Sequence, residues 1–175
     1  FGKAEPNDAH KVIARLEKNG YIKAVITQNI DNLHQKAGSQ NVFEFHGNSR
    51  YLICTECGEK YSVNEELLSE LPPKCEKCGD ILKPDFVFFG EAIPEREEKL
   101  SFEEAEKAEL FIIIGTTGEI QPASLIPVVA KSKGAKIVEI NIKKSNFTDD
   151  ITEIFIKEKA STAMKKIEKE LDKLK

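Results

Sequence analysis

All four cysteines of this 175-residue chain fall between positions 54 and 78, as Cys54-x2-Cys57 and Cys75-x2-Cys78. A glycine follows the second member of each pair, at Gly58 and Gly79. Two such knuckles bring four thiolates to the corners of a tetrahedron, the arrangement Zn2+ takes with sulfur ligands. Four thiolates also fill the coordination shell, so the ion is expected to brace the fold and not to activate water. The alternative is a pair of disulfides, which belongs to an oxidising compartment. The opening FGKAEPNDAH lacks the charged-then-apolar pattern of a secretion signal, which favours reduced thiols and a cytoplasmic chain. The quartet sits in a stretch, 49–82, that is rich in Cys, Glu, Lys, Pro and Gly and too short to bury a core of its own, so metal binding is expected to hold it folded.

On either side of that stretch the hydrophobic pattern has the rhythm of an α/β protein. From Asn7 to Asn19, Ala9, Val12, Ile13 and Leu16 fall on one helical face, with Pro6 and Asn7 as start signals and Gly20 as the stop. A strand follows at Ala24–Thr27. Short runs at Phe111–Ile114 and Lys136–Ile140 are continuously apolar, as in a parallel sheet covered on both faces. Between them, Pro122–Lys133 carries Leu125, Ile126, Val128, Val129 and Ala130 and predicts a crossover helix, completing a β–α–β unit. A short strand at Ile154–Ile156 precedes a helix near 160–174, whose stripe is Met164, Ile167, Leu171 and Leu174. The pattern predicts an α/β fold: a Rossmann-like parallel sheet, made by 1–48 and 83–175, with a small zinc-ribbon module inserted at 49–82.

Charge narrows the function classes. Against 26 basic residues stand 30 acidic ones, a net charge of −4. Such a chain has no general attraction for nucleic acid or anionic membranes. The insert itself is not basic and lacks interleaved aromatics, so a nucleic-acid-binding ribbon is disfavoured. Nothing approaches 18 consecutive apolar residues. The charged set is dominated by Lys and Glu, a bias found in hyperthermophile proteins.

The densest polar stretch, TQNIDNLHQKAGSQNVFEFHGN (27–48), lies between an apolar strand and the cysteine module. With the quartet directly after TQNIDNLHQKAG and FEFHG, the sequence resembles the sirtuins, the NAD-dependent protein deacylases. The resemblance continues in order through KPDFVFFGEAIP (83–94), GTTGEIQPAS (115–124) and VEIN (138–141), from about Pro6 to Ala163. It implies that 1–48 and 83–175 form the NAD-binding domain, with NAD as cofactor, a structural Zn2+ on Cys54, Cys57, Cys75 and Cys78, and an acyl-lysine protein or peptide as substrate. In that family the acyl oxygen attacks the nicotinamide ribose, nicotinamide leaves, and the acyl group passes to the sugar. Free lysine and O-acetyl-ADP-ribose are the other products.

The resemblance assigns roles that the side chains can support. His46, in an F-x-x-H-G setting, matches the catalytic base, and imidazole titrates in the needed range. Gln28 and Asn29 are catalytic and cofactor-binding, because amides donate and accept without titrating. Ile30 and Asp31 join them, Asp31 taking the nicotinamide carboxamide; Asn29 and Asp31 are equally suited to capping the next helix. His34 reads as helix-start packing and His10 as an ordinary helix residue. Gly115, Thr116 and Thr117 end a strand where such sheets present their carboxyl edge to a nucleotide. Asn141, with Ile142 and Lys143, would hold the adenosine ribose, and Ala160 aligns with the adenine-side loop. Val87, Phe88, Phe89, Gly90 and Glu91 would pair edge to edge with an extended substrate peptide, Glu91 attracting basic residues near the target lysine. An ordinary core strand ended by glycine is the other reading of this last segment.

The sequence departs from the family pattern at Thr117, where Ser is usual, at Gly118-Glu119, and at Glu158-Lys159 before Ala160. The family's glycine-rich loop, of the form Gly-Ala-Gly-x-Ser, is not among the 175 residues. Two alternatives to deacetylation follow, an NAD- or peptide-binding fragment that is catalytically incomplete and removal of succinyl or malonyl groups; a third is mono-ADP-ribosyl transfer from the same site, where an acceptor other than acyl-lysine takes the ribose.

Overall fold

The computed structural model describes residues 4–174. Helix α1 (Asp8–Lys18) is set by a reciprocal cap: the Asn7 side chain accepts from the Ala9 and His10 N–H groups, and His10 Nδ1 accepts from the Asn7 N–H. Strand β1 (Val25–Thr27) leads through a polar loop to the one-and-a-half-turn helix α2 (Leu33–Ala37), then β2 (Val42–Glu44) pairs parallel with β1. After the cysteine module and α3 (Glu95–Lys107) come β6 (Leu110–Ile114), α4 (Leu125–Ser132) and β7 (Lys136–Asn141), the expected β–α–β unit. Pro127 falls in the first turn of α4, where a missing N–H breaks no intrahelical bond. Strand β8 (Ile154–Lys157) and helix α5 (Ala160–Asp172) complete the chain.

The module consists of β3 (Gly47–Cys54), β4 (Lys60–Ser62) and β5 (Leu82–Phe86), an antiparallel sheet in the order β4-β3-β5. Its ladder starts at Gly47, immediately after His46. Gly47 has φ +73, and a Cβ there would stand 2.8 Å from the Phe86 Cα, so only glycine lets β3 and β5 approach this closely.

The single parallel sheet expected from the sequence takes the form of two parallel ladders, β1-β2 and β6-β7-β8, with no hydrogen-bonded strand pair between them among the described residues. They are joined through shared side-chain packing. On one face Phe45, Ile113, Ala123, Ile126, Ile137 and Phe147 form a core against which Ile26 packs. On the other, Val12, Leu16, Ile140 and Met164 pack with Val25, Ile112 and Ile114, so α1 and α5 lie together. Arg15 adds a two-pronged ion pair to Glu168, at 2.6 and 2.7 Å, across that helix pair.

Candidate active site and zinc centre

The four Sγ atoms lie within 4.8 Å of one another. Cys54 and Cys78 stand 3.4 Å apart, Cys57 and Cys75 3.6 Å, and Cys57 and Cys78 3.5 Å. A disulfide needs about 2.05 Å; ligands on a tetrahedral zinc with 2.3 Å bonds stand roughly 3.8 Å apart. The quartet therefore fits the metal. Cys54 and Cys75 are buried in a small core with Leu52 and Leu82, while Cys57 and Cys78 face outward. The Tyr61 hydroxyl, 3.3 Å from Cys75 Sγ, draws that thiol down to about 6, favouring the ligating thiolate.

His46 occupies the turn between β2 and β3. Phe45 before it is fully buried, and the two rings meet edge-on at 5.6 Å. The His46 imidazole is half-buried, and this burial lowers its pKa below the usual 6.5; a hydrogen bond with the Gln28 backbone pulls it partway back. The His46 carbonyl accepts from the Val87 N–H at 3.0 Å, so the turn is tied to the residue after β5. Glu44, two residues upstream, accepts from Gln35, Asn48 and Arg50 at 2.6–2.9 Å and knits α2 and β3 to β2. Glu44 is not among the residues expected from the sequence, because its partners come from two other elements, α2 and β3, and no local pattern announces them.

The loop after β1 carries the predicted amides. The Asn29 N–H donates to Thr27 Oγ1 at 3.1 Å, and the Asn29 side chain is exposed. Asp31 caps α2, accepting from the Leu33 N–H at 3.0 Å, while Asn32 takes the left-handed conformation (φ 64) and donates to Ser49. The Ile30 carbonyl receives both the Ser49 N–H and hydroxyl, anchoring the loop to β3. His34 stacks edge-on His10 with ring centroids 4.7 Å apart. Burial, and then the neighbouring His10, push His34 down to about 4. His10 is also part of the α1 cap, a role beyond the ordinary helix residue expected.

A second cluster forms at the carboxyl ends of β6 and β7. Gly115 has φ +66 and open space where a Cβ would project, so a ligand can approach its backbone. Its N–H donates to the Ile140 carbonyl. The Asn141 amide spans the two strands, Nδ2 donating to the Thr116 carbonyl at 2.9 Å, while its Oδ1 accepts from the Ile142 N–H. Thr116 Oγ1 accepts from the Gly118 N–H, and Thr117 donates to Glu119. Ile142 and Lys143 are exposed. Ala160 opens α5 and packs against the α1–α5 core.

The segment 87–91 differs from expectation. Strand β5 ends at Phe86, and the Glu91 N–H returns to the Phe88 carbonyl at 3.0 Å, so Phe88–Glu91 close a turn and do not run extended. Phe89 is 97% exposed at its tip, which also excludes a core strand. Glu91 is engaged by Lys83 at 2.6 Å and by the Phe88 N–H, leaving less of its charge for a peptide. Two concavities, about 360 Å³ along α3 and 580 Å³ between α1 and Gly38, are lined by none of the predicted site residues.

The amides, hydroxyls and glycine backbone gathered at the strand ends suit ribose, carboxamide and phosphate groups. Comparison with known proteins gives the same direction. Residues 1–122 match the model of the Sir2 family. An NAD-dependent protein deacylase of Pyrococcus furiosus is 45% identical over 176 residues, covering 98% of this chain and 70% of the relative. One from Aquifex aeolicus is 43% identical, covering 95% and 70%. A solved Sir2 structure with p53 peptide and NAD+ superposes with a TM-score of 0.93 at 35% identity, covering 98% of this chain and 72% of the other. The chain belongs to the Sir2 family.

Proposed function

We propose that the protein is an NAD-dependent protein-lysine deacetylase, with His46 as its general base. The observation that carries this reading is the placement of His46: its half-buried imidazole meets the buried Phe45 ring edge-on, its carbonyl is tied to the Val87 N–H beside the substrate segment, and burial lowers its pKa, which favours the neutral form. A neutral imidazole is the state that accepts a proton. The relatives' names support the reading, as does a Sir2 structure bound to a propionylated peptide, with a TM-score of 0.92.

Bound NAD supplies an electrophilic ribose carbon and nicotinamide as leaving group. Gln28 and Asn29 would orient the ribose hydroxyls, Ile30 and Asp31 would meet the carboxamide, and His46 would accept the proton of the ribose hydroxyl that receives the acetyl group. Gly115, Thr116 and Thr117 hold the nucleotide, with Asn141, Ile142, Lys143 and Ala160 on its adenosine side. Substrate peptide meets Val87 and the Phe88–Glu91 turn, whose exposed phenylalanines offer an apolar wall for the lysine methylenes. The four thiolates would hold zinc with no vacant position, so the ion would brace the fold and take no part in this chemistry. We assign 1–48 and 83–175 to the NAD-binding domain and 49–82 to the zinc module, whose sheet runs on to Gly47 and Phe86 where it joins that domain. We place the protein in the cytoplasm, a reading supported by a thiol quartet whose spacing fits zinc and not disulfides.

The test is nicotinamide release by the zinc-loaded protein in the presence of an acetyl-lysine peptide. Release that depends on the peptide and is lost in His46→Ala is expected. Peptide-independent release, or full activity in His46→Ala, would overturn the assignment.

A further inference from the structure

Glu139 is fully buried within β7, its side chain on the face that carries Ile137 and packs against Phe147 and Ile151. One carboxylate oxygen, Oε2, accepts from Thr148 Oγ1 at 2.7 Å and from Thr152 Oγ1 at 3.1 Å. The other, Oε1, has no partner among the described residues. A half-satisfied buried carboxylate costs stability that an isoleucine at the same place would not. Its hold on the two threonines is thus the property to account for.

Both threonines belong to the 144–152 loop that joins β7 to β8. Thr148 Oγ1 also accepts from the Ser145 N–H at 2.9 Å, and Ser145 Oγ from the Phe147 N–H at 3.1 Å. The Asn146 N–H, between them, donates to the Thr117 carbonyl at 2.9 Å. The Phe147 ring lies so close to Gly118 that a Cβ there would stand 2.7 Å from it, and Gly118 has φ +76. A continuous path of hydrogen bonds and packing therefore runs from the Glu139 carboxylate, through the loop, to the Gly115–Gly118 turn.

We infer that Glu139 is a positioning residue: through Thr148 and Thr152 it shapes the 144–152 loop, and the loop latches the Gly115–Gly118 turn in the form that receives NAD. This rests on the reading of that turn as nucleotide-facing. Thr148→Val removes the hydroxyl at nearly constant shape; Thr148→Ser restores it, and Glu139→Gln keeps an acceptor where the carboxylate oxygen lies.

Two readouts test the latch in the zinc-loaded protein: amide hydrogen exchange at Asn146 and Gly118 without NAD, and NAD affinity by calorimetry. Thr148→Val should speed exchange at both amides and weaken NAD binding, each by about tenfold, the worth of one buried hydrogen bond. The KM for peptide should stay unchanged, and Thr148→Ser and Glu139→Gln should keep most of the wild-type behaviour. Wild-type exchange at Asn146 and Gly118 in Thr148→Val would overturn the latch, as would an equal rise in the KM for NAD and for peptide. Should Thr148→Val not fold, Thr152→Val carries the same two readouts. No NAD binding by the wild-type protein would instead overturn the nucleotide reading of the turn, while the exchange data still decide the latch.

Discussion

The His46 imidazole sits where apolar packing and polar reach meet: the buried Phe45 ring meets it edge-on, and the Val87 N–H holds its carbonyl. Because burial lowers the pKa of a base, the neutral, active form persists to lower pH than for a free histidine. The acidic limb of the kcat/KM profile should therefore have its midpoint below pH 6.5, and a midpoint above 6.5 would contradict the burial argument. The four cysteines were legible because their spacing carries chemistry that few other arrangements allow; His46 stood out only through the resemblance of its surroundings to a family motif, since a lone histidine beside a strand reads equally as structural. The fixed positions of Glu44 and Glu139 were not legible, since a lone acidic residue in a strand reads as solvent-facing until its hydrogen-bond partners are known. Asn141 was assigned to the ribose, and its side chain also spans to the Thr116 carbonyl, an interstrand contact that no local pattern announces.

At the scale of elements, α1, α4 and α5 and the strands β1, β6, β7 and β8 followed from hydrophobic period and caps, while the three-residue β2 was too short to carry a pattern. Helix α3 did not, because its buried face is made of Ser101 and Ala105 with a half-buried Phe102, too small a stripe to stand out among Glu and Lys. Segment 87–91 turns where an extended edge was expected for a related reason: Val-Phe-Phe has strand character, and the turn is closed by Glu91, whose N–H donates to the Phe88 carbonyl and whose carboxylate accepts from the Phe88 N–H and Lys83. The packing of α1 on α2 yields a pH prediction through His34. Its folded pKa, about 4, is below the unfolded value of 6.5, so between these the unfolded chain binds more protons. Stability is full above pH 6.5 and falls toward pH 4, by up to about 3 kcal/mol. Urea midpoints across this range should show the slope, and His34→Gln should flatten it; an unchanged slope in the variant would remove His34 as its source.

For the whole molecule, two parallel ladders and a zinc-held sheet converge on the β2–β3 turn. The module's own core, Leu52, Cys54, Cys75 and Leu82 with Tyr61 and Leu67, is too small to stand without metal. Removing zinc with a strong chelator should melt β3–β5, seen as lost amide protection, and abolish activity because Val87 and Gly47 no longer hold His46 in place. Retained protection and activity after zinc loss would refute a bracing role. The chemistry itself is tested most directly by counting products from an acetyl-lysine peptide and NAD. The account predicts one nicotinamide released per lysine freed, with the acetyl group recovered on ADP-ribose; free acetate formed without nicotinamide would contradict it.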